Sequence, residues 1–146
     1  MSEINIDHIC KEDIEAIMAL EKTGIAHPWT SDSIEGLIND HDKAGLKACL
    51  EDGTLIGYIG AAYVLDEAEI GNLCVLPEYR GKGAGRKLLS SMIDLLKGKG
   101  CNTVYLEVED TNVPAISLYE KFGFVKYNQR KDYYGPGRDA LMYKLA

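Results

Sequence analysis

The 146-residue chain is poor in several things, and each shortage removes a class of function. Its four cysteines, Cys10, Cys49, Cys74 and Cys101, contain no Cys-x-x-Cys pair, and no histidine stands at ligand spacing from them. A Cys/His metal site and a dithiol redox centre are therefore not expected, and no metal is expected at all. Cys10, Cys49 and Cys74 have apolar neighbours, which predicts buried free thiols. No apolar run approaches the roughly 20 residues of a membrane span. The start, MSEINIDHICKED, lacks the basic and apolar regions of an export signal, so a reducing, cytoplasmic setting is expected. Basic residues are outnumbered, 16 Lys and Arg against 23 Asp and Glu, for a net charge of −7. That balance argues against nucleic acid or an anionic membrane as the main partner and suits a cationic one, such as an amine or a basic peptide. Repeats, low-complexity segments and linkers are missing too, so residues 1–146 read as a single domain long enough for a proper core.

What is present is an alternation of strand and helix patterns. INIDHI reads as a first strand, and Ile14, Ile17, Met18 and Glu21 follow at helical spacing. After a loop containing His27, Pro28 and Trp29, Asp32 and Glu35 resemble a capping box opening a second helix. Two apolar runs flank Asp52-Gly53, a pair that favours a two-residue hairpin turn. A strand from about Ala68 to Val75 follows an Asp66-Glu67 turn, and a helix carrying Leu88, Leu89, Met92, Ile93, Leu95 and Leu96 stops at Gly98 and Gly100. TVYLEVE reads as a buried strand. NVPAISLYEKFGF is a helix with Pro114 in its first turn and Gly123 at its end. VKYNQR and DALMYKL close the chain as a hairpin around KDYYGPGR. The order βααβββαβαββ predicts a mixed α/β domain with one sheet and helices on its faces.

The stretch LPEYRGKGAGRKLL places Gly81, Gly83 and Gly85 at every second position just before a helix. A helix N-terminus leaves its first N–H groups unpaired and carries a partial positive charge. Glycines there let those groups approach a phosphate with no Cβ in the way. Arg80, Lys82, Arg86 and Lys87 add positive charge at the same place, so a diphosphate is the expected guest. The spacing fits neither the Gly-x-Gly-x-x-Gly dinucleotide pattern nor a P-loop.

RGKGAG, Arg80 to Gly85, resembles the Arg/Gln-x-x-Gly-x-Gly/Ala signature of the GNAT acetyltransferase superfamily. NLCVLPEYRGKGAGR, LEVEDTNVPAISLYEKFGF and RKDYYGPGRDALMYKL all occur in order at that family's spacing, covering the chain nearly end to end. LEV…N…A…LYEKFGF, together with HPW at His27 to Trp29, is most similar to the subgroup that acetylates ribosomal-protein N-terminal alanines. The resemblance implies a single domain built on a twisted, mostly antiparallel sheet of about seven strands. It also implies about four flanking helices and splayed central strands. The implied reaction is direct transfer of acetyl from acetyl-CoA to the α-amine of a protein N-terminus.

Site residues follow from the same resemblance. Gly81, Lys82, Gly83, Ala84, Gly85 and Arg86 would hold the pyrophosphate through their amides. Leu73, Cys74 and Val75 would bond pantetheine by main chain, and Asn112, an ordinary N-cap by itself, would also touch the coenzyme. Glu107 takes the place of the general base and Tyr119 that of the general acid, a phenol with an ordinary pKa near 10. Glu109, two residues on and so on the same face, and Glu69 on the neighbouring strand are the alternative bases. Trp29, Tyr133 and Tyr134, large side chains expected in loops, would clasp the acceptor peptide. Cys74 has no histidine near in sequence, so covalent catalysis is not expected. An α-amine has a pKa of about 7.7–8.0 against about 10.4 for lysine, so a useful fraction is neutral at pH 7. A polyamine, amino sugar or lysine acceptor, and a non-catalytic coenzyme-A-binding module, are the alternatives.

Overall fold

The computed structural model describes residues 3–22 and 31–146. The expected element order holds throughout: β1 Asn5–His8, α1 Ile14–Glu21, α2 Ser31–Asn39, β2 Lys43–Cys49, β3 Leu55–Val64, β4 Glu67–Val75, α3 Ala84–Gly98, β5 Thr103–Glu109, α4 Val113–Lys121, β6 Val125–Gly135 and β7 Arg138–Leu145. Short 3-10 turns at Lys11–Asp13 and Pro77–Tyr79 are added. The strands form one sheet in the order β1-β2-β3-β4-β5-β7-β6, antiparallel everywhere except between β4 and β5.

Each face of the sheet is covered by helices. Helix α3 lays Leu88, Leu89, Met92 and Leu96, all fully buried, against Ile56, Ile59, Val104 and Leu106. Burying such side chains contributes about 1.5–3 kcal/mol apiece, so α3 is a fixed post for the glycine loop in front of it. Tyr119 of α4 and Phe124 join the same cluster. On the opposite face α1 and α2 bring Ile17, Leu20, Ile34 and Leu37 onto Tyr58 and Cys74.

Several turns differ from the sequence expectation. The Asp52-Gly53 hairpin closes through Leu50, whose N–H donates to the Thr54 carbonyl at 2.9 Å, so three residues form the loop. Only Gly53 has a positive φ there (91°), the pattern of a turn completed by one left-handed residue. The next turn falls at Leu65-Asp66, with Leu65 itself at φ 56°, and Glu67 already belongs to β4. Helix α2 begins at Ser31, so Asp32 lies inside its first turn. Cys10 is exposed, with its Sγ donating to Asp13 Oδ2 at 3.1 Å, and Cys49 is half-buried; only Cys74 and Cys101 are buried thiols.

Two irregularities in β4 create the site. Ile70 pairs with Ala61 and Asn72 with Gly60, which leaves Gly71 without a partner as a β-bulge. The bulge reverses the side-chain alternation. Ala68 and Ile70 face α3, whereas Cys74 faces α1 and α2. Beyond this point β4 also leaves β5: the two pair only over Glu67–Ile70 and Thr103–Leu106. The splayed strands that the resemblance implied are this opening.

Behind the bulge sits a buried polar cluster. Glu21, fully buried at the end of α1, accepts the Tyr58 hydroxyl and the Asn72 amide, the latter at 2.9 Å. Asn72 also donates to Tyr58 Oη at 3.2 Å. A buried carboxylate is tolerable only with such partners, and these ones tie α1 to β3 and β4 at the opening.

Candidate active site

The opening between β4 and β5 widens into a cleft of about 770 Å³, within the range of small-molecule sites. Its walls include Leu73, Cys74 and Val75 from β4, Gly81, Gly83, Gly85 and Arg86 from the loop and α3, and Asn112 and Tyr119 from α4. Nine residues expected from the sequence are thereby brought together. Lys82 is exposed and Ala84 is buried beneath the loop, and neither lines the cleft.

The loop owes its shape to glycine at two positions. Gly81 and Gly83 adopt φ of 77° and 92°, where an L side chain is strained, and a Cβ at either would meet open space. The bare backbone therefore faces room for a ligand. The first backbone bond of α3 runs from Lys87 N–H to the Gly83 carbonyl at 3.0 Å. The preceding N–H groups, Gly81 to Arg86, are left for an anion at the positive end of the helix. Arg80 turns back instead, its Nε donating to the Val75 carbonyl at 3.2 Å, so it braces the strand end. These features fit the pyrophosphate of a coenzyme. Asn112 caps α4, its side chain accepting from Ala115 N–H at 3.3 Å, and still borders the cleft.

Tyr119 lines the cleft, 7% exposed and edge-on to Phe124. Burial, with a smaller contribution from Tyr134, pushes its phenol up to about 12, so it keeps a proton to offer at any physiological pH. Burial likewise raises the Cys74 thiol to about 11, the reverse of what a nucleophile needs.

Strand β5 turns Tyr105, Glu107 and Glu109 to one face. Glu109 lines the cleft and is engaged: Arg138 Nη2 and Nε reach its two oxygens at 2.6 and 3.2 Å, and Thr111 Oγ1 donates at 2.5 Å. Protonating it would break that ion pair. Glu107 is half-buried opposite Met142, outside the cleft wall proper. It is close enough that its charge, after burial, helps raise the Tyr134 phenol. Glu69 is exposed on β4, beside Tyr105.

Tyr133 and Tyr134 are not in a loop. They belong to β6 where the register jumps from Arg130–Ala140 to Gly135–Arg138, so residues 131–134 bulge opposite the single residue Asp139. Their rings meet edge-on at 5.1 Å, with the Arg130 guanidinium 5.5 Å over Tyr133. Trp29 lies outside the described residues.

Sequence reasoning missed Arg138, whose partner lies 29 residues away, and the Glu21–Tyr58–Asn72 cluster. The cluster did leave a trace, an acidic residue in register with the apolar face of α1. Among the described residues no acidic, histidine and cysteine group of three or more is placed to hold a metal, and no helix is long and apolar enough to cross a membrane.

Comparison with known proteins agrees with this geometry. Residues 12–124 match the family model described as Acetyltransferase (GNAT) family. A Bacillus subtilis (strain 168) protein, provisionally named a [ribosomal protein bS18]-alanine N-acetyltransferase, is 39% identical over 132 residues, which is 90% of this chain and 87% of that one. The crystal structure of the Escherichia coli ribosomal-protein-S18-alanine N-acetyltransferase superposes with a TM-score of 0.88 at 30% identity, covering 98% of this chain and 93% of that one. Arabidopsis thaliana NAA60 in complex with acetyl-CoA shares the fold, with a TM-score of 0.89 at 23% identity over 98% of each chain.

Proposed function

The chain belongs to the GNAT family of acetyltransferases, whose acetyl donor is acetyl-CoA, and on that basis we propose that it acetylates the α-amine of a protein N-terminus. The acceptor we assign is an N-terminal alanine of a ribosomal protein, which sets the reaction in the cytoplasm. The observation that carries this reading is a convergence: Tyr119 lines the same cleft as the glycine loop, Tyr134 is close enough to help raise its phenol, and Glu107 is close enough to help raise that of Tyr134. Alanine acetylation is also the activity in the names of the bacterial relatives.

In this reading acetyl-CoA supplies the thioester, and this chain's residues bind, orient and move protons. The amides of Gly81 to Arg86 take the pyrophosphate, and the free edge of β4 at Leu73 to Val75 takes the pantetheine amides in place of a strand partner. Glu107 removes the proton from the ammonium, directly or through one water. The engagement of Glu109 with Arg138 and Thr111 favours Glu107 over it, and exposure of Glu69 sets that residue apart. Tyr119 offers its proton to the sulfur as the C–S bond breaks. Tyr133 and Tyr134, together with Trp29, hold the acceptor backbone. The bulge tyrosines favour an extended peptide over a small amine.

The test is a mass-shift screen of short peptides beginning with Ala, Ser or Met, with Glu107→Gln as the inactive control and spermidine and an aminoglycoside as rival acceptors. Acetylation of Ala peptides above the others is expected. Turnover of a small amine with every peptide untouched would overturn the proposal.

A further inference from the structure

Arg138 and Asp139 are consecutive at the start of β7, so their side chains leave opposite faces of the sheet. Both nevertheless end on the same four-residue bulge of β6. On the cleft side Arg138 grips the Glu109 carboxylate and extends its remaining arm, Nη1, to the Tyr134 carbonyl at 3.2 Å. On the far side Asp139 Oδ1 accepts the main-chain N–H of Asp132 at 3.0 Å, and its Oδ2 accepts Gln129 Nε2 at 2.6 Å. Asp132 stands at φ 56°, an unfavourable value for an L residue, and its own Oδ1 takes the Gly137 N–H at 2.7 Å. The bulge is thus held at Asp132 from one face and at Tyr134 from the other, with the two tyrosines beside or between the pins.

We propose that Arg138 and Asp139 are positioning residues that clamp the β6 bulge and so set Tyr133 and Tyr134 in place for the acceptor. The inference rests on the reading of the bulge tyrosines as the acceptor site. Two features separate it from a role in the fold alone. Strand β6 is the edge of the sheet and is exposed from Val125 to Tyr133, so the bulge adds little to the core. The coenzyme amides come from the β4–α3 side of the cleft, so loosening Asp139's pin leaves them in place. The clamp therefore bears on acceptor affinity, seen as a rise in the acceptor KM at constant kcat.

The experiment uses the full chain and a hexapeptide beginning with Ala, and measures peptide KM, kcat and the acetyl-CoA Kd for wild type, Asp139→Ala, Asp139→Asn and Arg138→Lys. Asp139→Ala is expected to raise peptide KM about fivefold or more, with kcat and acetyl-CoA Kd within about twofold. Asp139→Asn, which keeps an oxygen for the Asp132 N–H, restores part of the loss. Arg138→Lys keeps the charge beside Glu109 but loses the fork, and raises peptide KM by more than it changes the acetyl-CoA Kd. Peptide KM within about twofold of wild type in all three, or kcat and both ligands failing in parallel, overturns the clamp. If Asp139→Ala does not fold, the Asn and Lys variants decide by the same criteria. A wild type that ignores the peptide while acetylating a small amine refutes the acceptor reading itself, a result distinct from normal peptide kinetics in the variants.

Discussion

Replacing Gly83 by alanine or valine probes the coenzyme loop through its backbone alone. Gly83 sits at φ 92° and ψ 0° as the N-cap of α3, and a Cβ built there touches nothing within 4 Å. The substitution therefore makes no clash, and its cost is conformational, about 1–2 kcal/mol for an L residue in the left-handed region. That cost must surface in one of two measurements. If the loop keeps its shape, the folded state carries the strain, and unfolding free energy falls by about 1–2 kcal/mol with acetyl-CoA affinity intact. If the loop relaxes, the amides of Gly81 to Arg86 swing away, and the coenzyme must restore them on binding. Kd then rises about 5- to 30-fold for Ala, by the usual conversion of that energy, and further for β-branched Val. Arg80→Ala removes an exposed cation and one hydrogen bond to the Val75 carbonyl, worth less than about fivefold in Kd. Isothermal titration with acetyl-CoA, run beside urea unfolding, measures both quantities. A Gly83→Val variant normal in both, or one of unchanged stability whose loss of affinity does not exceed that of Arg80→Ala, would refute the claim that the amides dominate.

Other outcomes follow from the same geometry. Glu107→Gln should lower kcat at least about a hundredfold while leaving acetyl-CoA Kd unchanged, whereas Glu109→Gln should act mainly on peptide KM; steady-state kinetics with both substrates varied separates them. Tyr119 is protonated up to about 12 in the folded chain against about 10 when unfolded, so the unfolded state binds fewer protons between those values and stability falls as pH rises through them. Tyr119→Phe should remove on the order of 2 kcal/mol of that alkaline loss, read from unfolding at pH 9 and pH 12; an unchanged slope would count against the phenol's burial. An aromatic disulfide reagent on the native protein should titrate Cys10 first and spare Cys74 and Cys101 until the chain unfolds.

The sequence made the elements legible because their signals are local: helical spacing in α3, alternation in β5, Pro114 at the start of α4 and Gly123 at its end. The glycine loop was legible for the same reason, since Gly81 and Gly83 occupy backbone angles that few other residues tolerate. What stayed hidden depends on register. Leu65 takes a positive φ with none of the usual glycine or asparagine to mark it. The β6 bulge arises from how two strands align, so Tyr133 and Tyr134 looked like loop residues. Alternation alone put Glu107 and Glu109 on one face and the resemblance ranked Glu107 first; that Glu109 is held by Arg138 from β7 and by Thr111 was not legible. Glu21 stood in the apolar register of α1, but its partners Tyr58 and Asn72 lie 37 and 51 residues away.

The parting of β4 from β5 also divides the labour of the enzyme. The sheet is two half-sheets, β1–β4 and β5–β7, hinged along the four residue pairs from Glu67–Thr103 to Ile70–Leu106. One half continues through the glycine loop into α3; the other carries Glu107, Glu109 and the bulge tyrosines. On the reading proposed above, donor and acceptor machinery would sit on opposite leaves of the sheet, with the reaction at the seam. Substitutions that retune the acceptor leaf can accumulate while the donor leaf keeps its grip, so a lineage built on this plan can exchange one amine for another without reinventing how it holds its acetyl group.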